Sequence, residues 1–179
     1  MRINSGKYKG RVIEGFTLEG TRPTMERVKE SLFAMLQNVI DSAVVLDLFA
    51  GSGNLGIEAL SEGASYAYFV DNNKKAIKTI ENNLKKLNIN NATIILDDYQ
   101  KALKKIDKKI DIVFLDPPYK TNYIEKSISE IEKNNILNIG GLIVCESDTI
   151  NKIIFPEKYQ VVKEKKYGDK FIVIIKKIC

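Results

Sequence analysis

The residues best suited to chemistry stand in two short stretches. The first is Asp116-Pro117-Pro118-Tyr119, directly after the apolar run Ile112 to Leu115. An exocyclic amine on a base is a poor nucleophile, because its lone pair is delocalised into the ring. The carboxylate of Asp116 and the carbonyl of Pro117 can together accept hydrogen bonds from its two N–H bonds. Consecutive prolines hold that carbonyl rigidly and bring no competing N–H, and Tyr119 offers a flat face on which an extruded base can stack. The second stretch is Gly51 to Gly56, GSGNLG, preceded by Asp47 and followed roughly 20 residues on by Asp71 at the end of a second apolar run. Glycines such as Gly51 and Gly53 let a turn approach a ligand closely, the helix that follows offers free N–H groups, and Asp71 can accept both hydroxyl protons of a ribose.

Asp47 narrows the choice of ligand. An acid just before the glycines repels a pyrophosphate, so a nicotinamide-dependent oxidoreductase, the alternative enzyme reading, leaves both Asp47 and residues 116–119 without a task. S-adenosylmethionine carries a sulfonium, an ammonium and a ribose, and no phosphate. A structural role for Asp47, capping the loop amides, is compatible with either reading. A third apolar run ends Ile95-Leu96-Asp97-Asp98, which puts an acid at the carboxyl edge where ligands of open α/β sheets bind. That acid can accept an adenine amino group or cap the next helix.

The elements that must position these groups alternate. Apolar runs near 44–49, 65–70, 92–97, 110–115 and 141–146 read as strands, and 54–62, 73–87, 99–106 and 123–134 as helices. This alternation is the signature of a doubly wound, mostly parallel sheet covered on both faces. Residues 159–166 and 170–177, flanking Gly168-Asp169, read as a closing hairpin, which brings the expected sheet to seven strands. Residues 1–20 read as a small N-terminal β-hairpin extension of the main α/β domain at 21–179, and Thr24 as the N-cap of a helix reaching Val39.

At 179 residues, 44% hydrophobic and 28% charged, the chain fits one domain with a core that needs no disulfide or metal. The absence of histidine excludes Ser/His and Cys/His triads and histidine-containing metal sites. Cys145 and Cys179 read as unpaired. No apolar run is long enough to span a bilayer and no secretory signal opens the chain, so a cytoplasmic monomer is expected. A net charge of +5 suits an anionic partner, and Lys7, Lys9 and Arg11 in the N-terminal hairpin can contact phosphates.

DLFAGSG, an acid after the second strand, and DPPY occur here in the order that resembles class I, Rossmann-like methyltransferases acting on amines of DNA or RNA. The further segments SGKYKGR, TRPTMERVKESLF and GIEALSEGA are similar to the RsmD family, which methylates the exocyclic N2 of a guanine in 16S ribosomal RNA. The resemblance covers residues up to about Glu146. It implies that Asp47, Gly51, Gly53, Asp71 and Asp98 bind S-adenosylmethionine and that Asp116 to Tyr119 form the catalytic target-base site. It further implies that the hairpin assists RNA binding, with the 30S subunit or an assembly intermediate as partner, and it leaves Arg22 and Arg27 either on phosphate or paired with acids. Two observations stand apart from the resemblance, the first favouring structured RNA over DNA and the second guanine over adenine. About sixty residues follow Tyr119, most of them needed to finish the sheet, so no room remains for a groove-reading domain. Guanine also sets N1–H beside its N2 amine, adjacent donors that suit a carboxylate.

Overall fold

The computed structural model of the chain describes residues 1–16, 23–118, 122–148 and 153–179. Its elements run α1 (Pro23–Leu36), β1 (Val44–Asp47), α2 (Asn54–Ser61), β2 (Tyr66–Asp71), α3 (Lys74–Lys86) and β3 (Ala92–Leu96). They continue with α4 (Tyr99–Leu103), β4 (Ile110–Leu115), α5 (Tyr123–Lys133), β5 (Leu137–Ser147), β6 (Tyr159–Tyr167) and β7 (Lys170–Lys177). Among the described residues the sheet has seven strands in the order β3-β2-β1-β4-β5-β7-β6. Strands β1 to β5 are parallel to their neighbours and β7 returns antiparallel to β5 and β6. The order reverses between β1 and β4, and at such a point the connections leave to opposite faces and open a crevice at the carboxyl ends.

Side-chain alternation along the strands builds two cores. Val45, Ala67, Phe69, Ile112, Phe114, Val144, Ile172 and Ile174 pack under α1, α2 and α3. Leu46, Tyr68, Val113, Leu115, Ile143, Cys145, Val173 and Ile175 pack under α4 and α5. Strands buried on both faces read as continuous apolar runs, which is why β4 and β7 were visible in the sequence. Burial pushes the Cys145 thiol up, with Glu125 adding to it; Cys179 is exposed, and both cysteines are free.

The structure revises several boundaries. α1 begins at Pro23 and ends at Leu36, so Thr24 lies inside the helix instead of capping it, and Val39 lies beyond its end, exposed. β5 starts four residues before the apolar run that suggested it. Gly140, at φ 84, absorbs a register shift against β4, and the sequence shows that break only as a glycine pair. The N-terminal hairpin is two antiparallel arms joined by one bridge, Arg2 to Val12, and not a regular ladder. Ile3 and Ile13 turn into the core under α1 to α3, and the arm's tip is held by α2, with Lys7 N–H donating to the Ser61 carbonyl at 2.8 Å. No helix among the described residues is long and apolar enough to cross a membrane.

Candidate active site

β1 delivers Asp47 to the carboxyl edge of the sheet, buried, with Oδ2 accepting the Gly56 N–H at 3.0 Å. The acid therefore caps the first turn of α2 from beneath and faces the crevice with its remaining lone pairs. Burial pushes its carboxyl up to about 7, the Gly56 bond works against that, and the charge of Asp71 adds to it. Asp71, at the end of β2, is tied to the same loop: its carboxylate accepts the Gly51 N–H at 2.9 Å and the Asn73 N–H at 2.9 Å. Gly53 does not face the crevice. It is buried at φ 83 before α2, where an added Cβ would sit 3.2 Å from the Phe69 ring; at Gly56 the same ring would be 2.4 Å away. These two glycines let α2 close on β2, while Gly51 lies on the cleft wall.

Asp98 N-caps α4 by accepting the Lys101 N–H at 3.0 Å, and it also lines the cleft. Asp97 pairs with Lys105 at 2.9 Å. Asp47 lies in register with Phe114, which puts Asp116 two residues past that pair, beside the glycine loop. The Asp116 side chain is open to the cleft, Pro117 is buried and Pro118 is exposed. Tyr119 and Arg22 lie outside the described residues. Lys7, Lys9 and Arg11 are exposed on the arm and Arg27 is exposed on α1. The arm's tip sits against Ser61, at the far end of α2 and thus about 12 Å from the glycine loop, whereas its base, Met1, Gly15 and Phe16, lines the cleft.

These groups share one cleft of about 1380 Å³, larger than the roughly 300–1,000 Å³ of a single small-ligand pocket. That volume leaves room for two reactants side by side. A second cavity, of about 800 Å³ around Lys109, Glu132 and Lys177, opens at the amino edge of the sheet and contains none of the motif residues. Among the described residues no group of three His, Cys, Asp or Glu is placed to hold a metal.

The structure adds residues that the sequence did not single out. Phe49, Tyr99 and Tyr123 meet ring to ring, with centroids 5.6 to 5.8 Å apart, on one wall of the cleft. Lys29 and Glu58 form a buried ion pair at 3.2 Å beneath the other wall. A signal for it was present: Lys29 falls at helical spacing between Met25 and Leu32, on the apolar face of α1, where a free lysine would not be tolerated. Glu146 and Lys170 pair at 2.8 Å at the ends of β5 and β7. Asp116 is held above the usual carboxylate range, first by loss of water between the cleft walls and then by Glu146, with Lys170 drawing it back and Asp47 raising it further. Water still reaches the open carboxyl, so the desolvating part is complete only when ligands fill the cleft. The neighbouring charges act in both states.

The arrangement suits a cation on Asp47, a ribose on Asp71 and an amine at Asp116. A buried acid beside a second acid has a charge deficit that a positive ligand removes. Comparison with known proteins places the whole chain in one family. The family described as conserved hypothetical protein 95 matches residues 1–176. YlbH of Bacillus subtilis is 39% identical over 184 residues, covering 99% of each chain. Ribosomal RNA small subunit methyltransferase D of Haemophilus influenzae is 38% identical over 172 residues, covering 94% of this chain and 89% of the relative. The solved structure of yhhF from Escherichia coli superposes with a TM-score of 0.89 at 31% identity, covering 99% of this chain and 98% of its own.

Proposed function

Because the chain belongs to the RsmD family, we propose that it methylates the exocyclic N2 amine of a guanine in the 16S RNA of the small ribosomal subunit, using S-adenosylmethionine. The observation that carries this reading is the single cleft that holds a buried acid, Asp47, and an open one, Asp116, two residues past neighbouring register positions. When bound, S-adenosylmethionine supplies a methyl group on a positively charged sulfur; transfer to N2 returns the carbon–sulfur pair to sulfur and frees one proton from the amine. Asp47 faces the ligand's charge, Asp71 holds the ribose hydroxyls with the lone pairs left by Gly51 and Asn73, and Asp98 meets the adenine edge. Asp116 and the Pro117 carbonyl accept from the amine, which keeps its lone pair aimed at the methyl group, and Asp116 then takes the proton. Tyr119 stacks on the base. The protein works in the cytoplasm as a monomer on the 30S subunit or an assembly intermediate. Incubation with methyl-labelled S-adenosylmethionine and unmodified 30S particles or 16S RNA should label guanine N2. Label on adenine alone would reject the base assignment.

The raised Asp47 carboxyl makes cofactor binding depend on pH. In the ligand-free fold this group withdraws stability as the pH rises from its ordinary value of 3.8 to about 7, because between those values the folded chain holds a proton that the unfolded chain has lost. A cationic ligand favours the ionised acid. Affinity for S-adenosylmethionine should therefore fall as the pH drops below 7, approaching about tenfold per pH unit, and binding near pH 7 should release a proton. Calorimetry in buffers of different ionisation enthalpy checks both. Affinity that stays flat between pH 7 and 6, without proton release, would remove Asp47 from beside the charge.

The arm is read as an RNA surface. Neutralising Lys7, Lys9 and Arg11 together should weaken RNA binding and flatten its salt dependence by about one unit of log–log slope per lost phosphate contact. Binding of S-adenosylhomocysteine should stay unchanged, since Lys7 stands at the far end of α2 and Arg11 donates to the Lys86 carbonyl at the far end of α3, at 3.3 Å. Unchanged RNA affinity and slope would make the arm a solvated edge and move the RNA surface towards Arg22 and Arg27.

A further inference from the structure

Strand alternation sets a row of charged groups on one face of the sheet, at its carboxyl edge. Val45, Phe114, Val144 and Ile172 all point into the core under α1 to α3. Two residues on from the first three, on the same face, stand Asp47, Asp116 and Glu146; two residues before Ile172 on the antiparallel β7 stands Lys170. Leu115 is in register with Cys145 and Glu146 with Ile172, so Asp116 and Glu146 are next neighbours on strands about 4.8 Å apart. Lys170 Nζ lies 2.8 Å from Glu146 Oε1, and both line the cleft with Asp116. The row thus reads acid, acid, acid, ammonium across β1, β4, β5 and β7. Nothing in the reading of the cofactor or the base requires the last two.

We propose that the Glu146–Lys170 pair is a positioning device for Asp116: Lys170, anchored by Glu146, keeps the Asp116 carboxylate ionised and turned towards the amine. This rests on the reading of Asp116 as the group that accepts from the amine. Two carboxylates alone at this spacing would share a proton, and a protonated Asp116 would donate towards the amine's lone pair instead of accepting its hydrogens. An ammonium on the far side of Glu146 offsets that repulsion without occupying the space where the base must enter. The charged groups acting on Asp116 are Asp47 from β1, Glu146 from β5 and Lys170 from β7; Lys29, Asp71, Asp97, Asp98, Lys126, Asp148 and Asp169 also line the cleft. β6 and β7 therefore do more than close the sheet: their turn carries Lys170 to the chemistry.

The two partners push Asp116 in opposite directions, and that separates this role from a structural one. Lys170→Met should move the acid limb of the pH–rate profile up by about one to three units, so that on the acid side of that limb the single-turnover rate drops about tenfold for each unit moved and recovers as the pH rises. Lys170→Arg should keep the parent profile. Glu146→Gln should move the limb down, because repulsion is removed while the ammonium stays. Binding of S-adenosylhomocysteine should hold in all three. Titration of the Asp116 carboxyl by carbon NMR in the parent protein and in each variant gives the same comparison without turnover. If no RNA or particle accepts methyl from the parent protein, the amine reading fails, and the NMR shifts still decide whether the pair sets Asp116. Rates lowered equally at every pH in both Lys170→Met and Glu146→Gln, or an Asp116 titration that neither variant moves, would overturn the proposal.

Discussion

Asp116→Asn should lower the single-turnover methylation rate by about 10²–10⁴, the range over which a positioned acid–base group contributes, while leaving S-adenosylhomocysteine affinity within twofold. The carboxamide keeps the size and one acceptor oxygen of the carboxylate, so a base can still enter the cleft. It cannot take the amine proton, and its NH₂ presents a donor where two acceptors are needed. The effect should fall on the chemical step and not on RNA affinity, since the carboxylate touches the amine and no phosphate. Asp116 leaves β4 where Leu48 N–H donates to the Phe114 carbonyl at 3.3 Å, so it is fixed by the sheet and the substitution should not disturb the fold. Rapid-quench measurement with labelled cofactor, beside calorimetric titration, tests this directly. A variant that keeps a tenth or more of the parent rate would show that Asp116 only shapes the pocket.

The parts of the molecule legible in the sequence are those governed by local pattern. Continuous apolar runs announced the central strands because both faces of each are buried, and glycine spacing announced the loop between Asp47 and α2. The acids at strand ends stood out because a charge directly after a buried run falls at the carboxyl edge of the sheet, and what the sequence left open is that Asp47, Asp71 and Asp98 each also hold a loop or helix N–H there. What was hidden depends on which strands become neighbours. Glu146 and Lys170 are 24 residues apart in the chain and meet only because β7 turns back against β5. Phe49, Tyr99 and Tyr123 come from three separate loop and helix starts, and each alone reads as an ordinary half-buried aromatic. The spacing of Gly53 fits a ligand contact, and its missing side chain also makes room for Phe69. The spacing reports a close approach without saying of what.

The largest effect on stability should come from Glu58→Ala. Glu58, buried in α2, faces four donors at once: the Asn4 N–H at 3.0 Å, the Ser5 N–H at 3.1 Å, the Ser5 hydroxyl and the Lys29 ammonium at 3.2 Å. It binds the N-terminal arm, α1 and α2 into one unit. Removing it leaves the Lys29 ammonium buried with only neutral oxygens, those of Asn54 at 2.9 Å and the Arg2 carbonyl at 2.8 Å, and the distant Glu26 at 3.8 Å. Breaking a buried pair on one side costs about 3–5 kcal/mol, and two arm amides lose their acceptor as well. The expected result is an unfolding free energy lowered by that amount, read from a lower denaturant midpoint at unchanged slope, with faster amide exchange confined first to residues 3–13. Because Met1, Gly15 and Phe16 of the arm line the cleft, cofactor affinity should weaken in parallel. The double variant Lys29→Met with Glu58→Leu should recover most of the stability, since apolar groups of similar volume can replace a buried pair at little cost, yet it should not recover the slow exchange of Asn4 and Ser5, whose N–H groups find no acceptor in leucine. A single variant that loses less than about 1 kcal/mol, the worth of an exposed pair, would show that water reaches Lys29 and that Ile3, Ile13 and the hydrogen bonds to Ser61 hold the arm without Glu58.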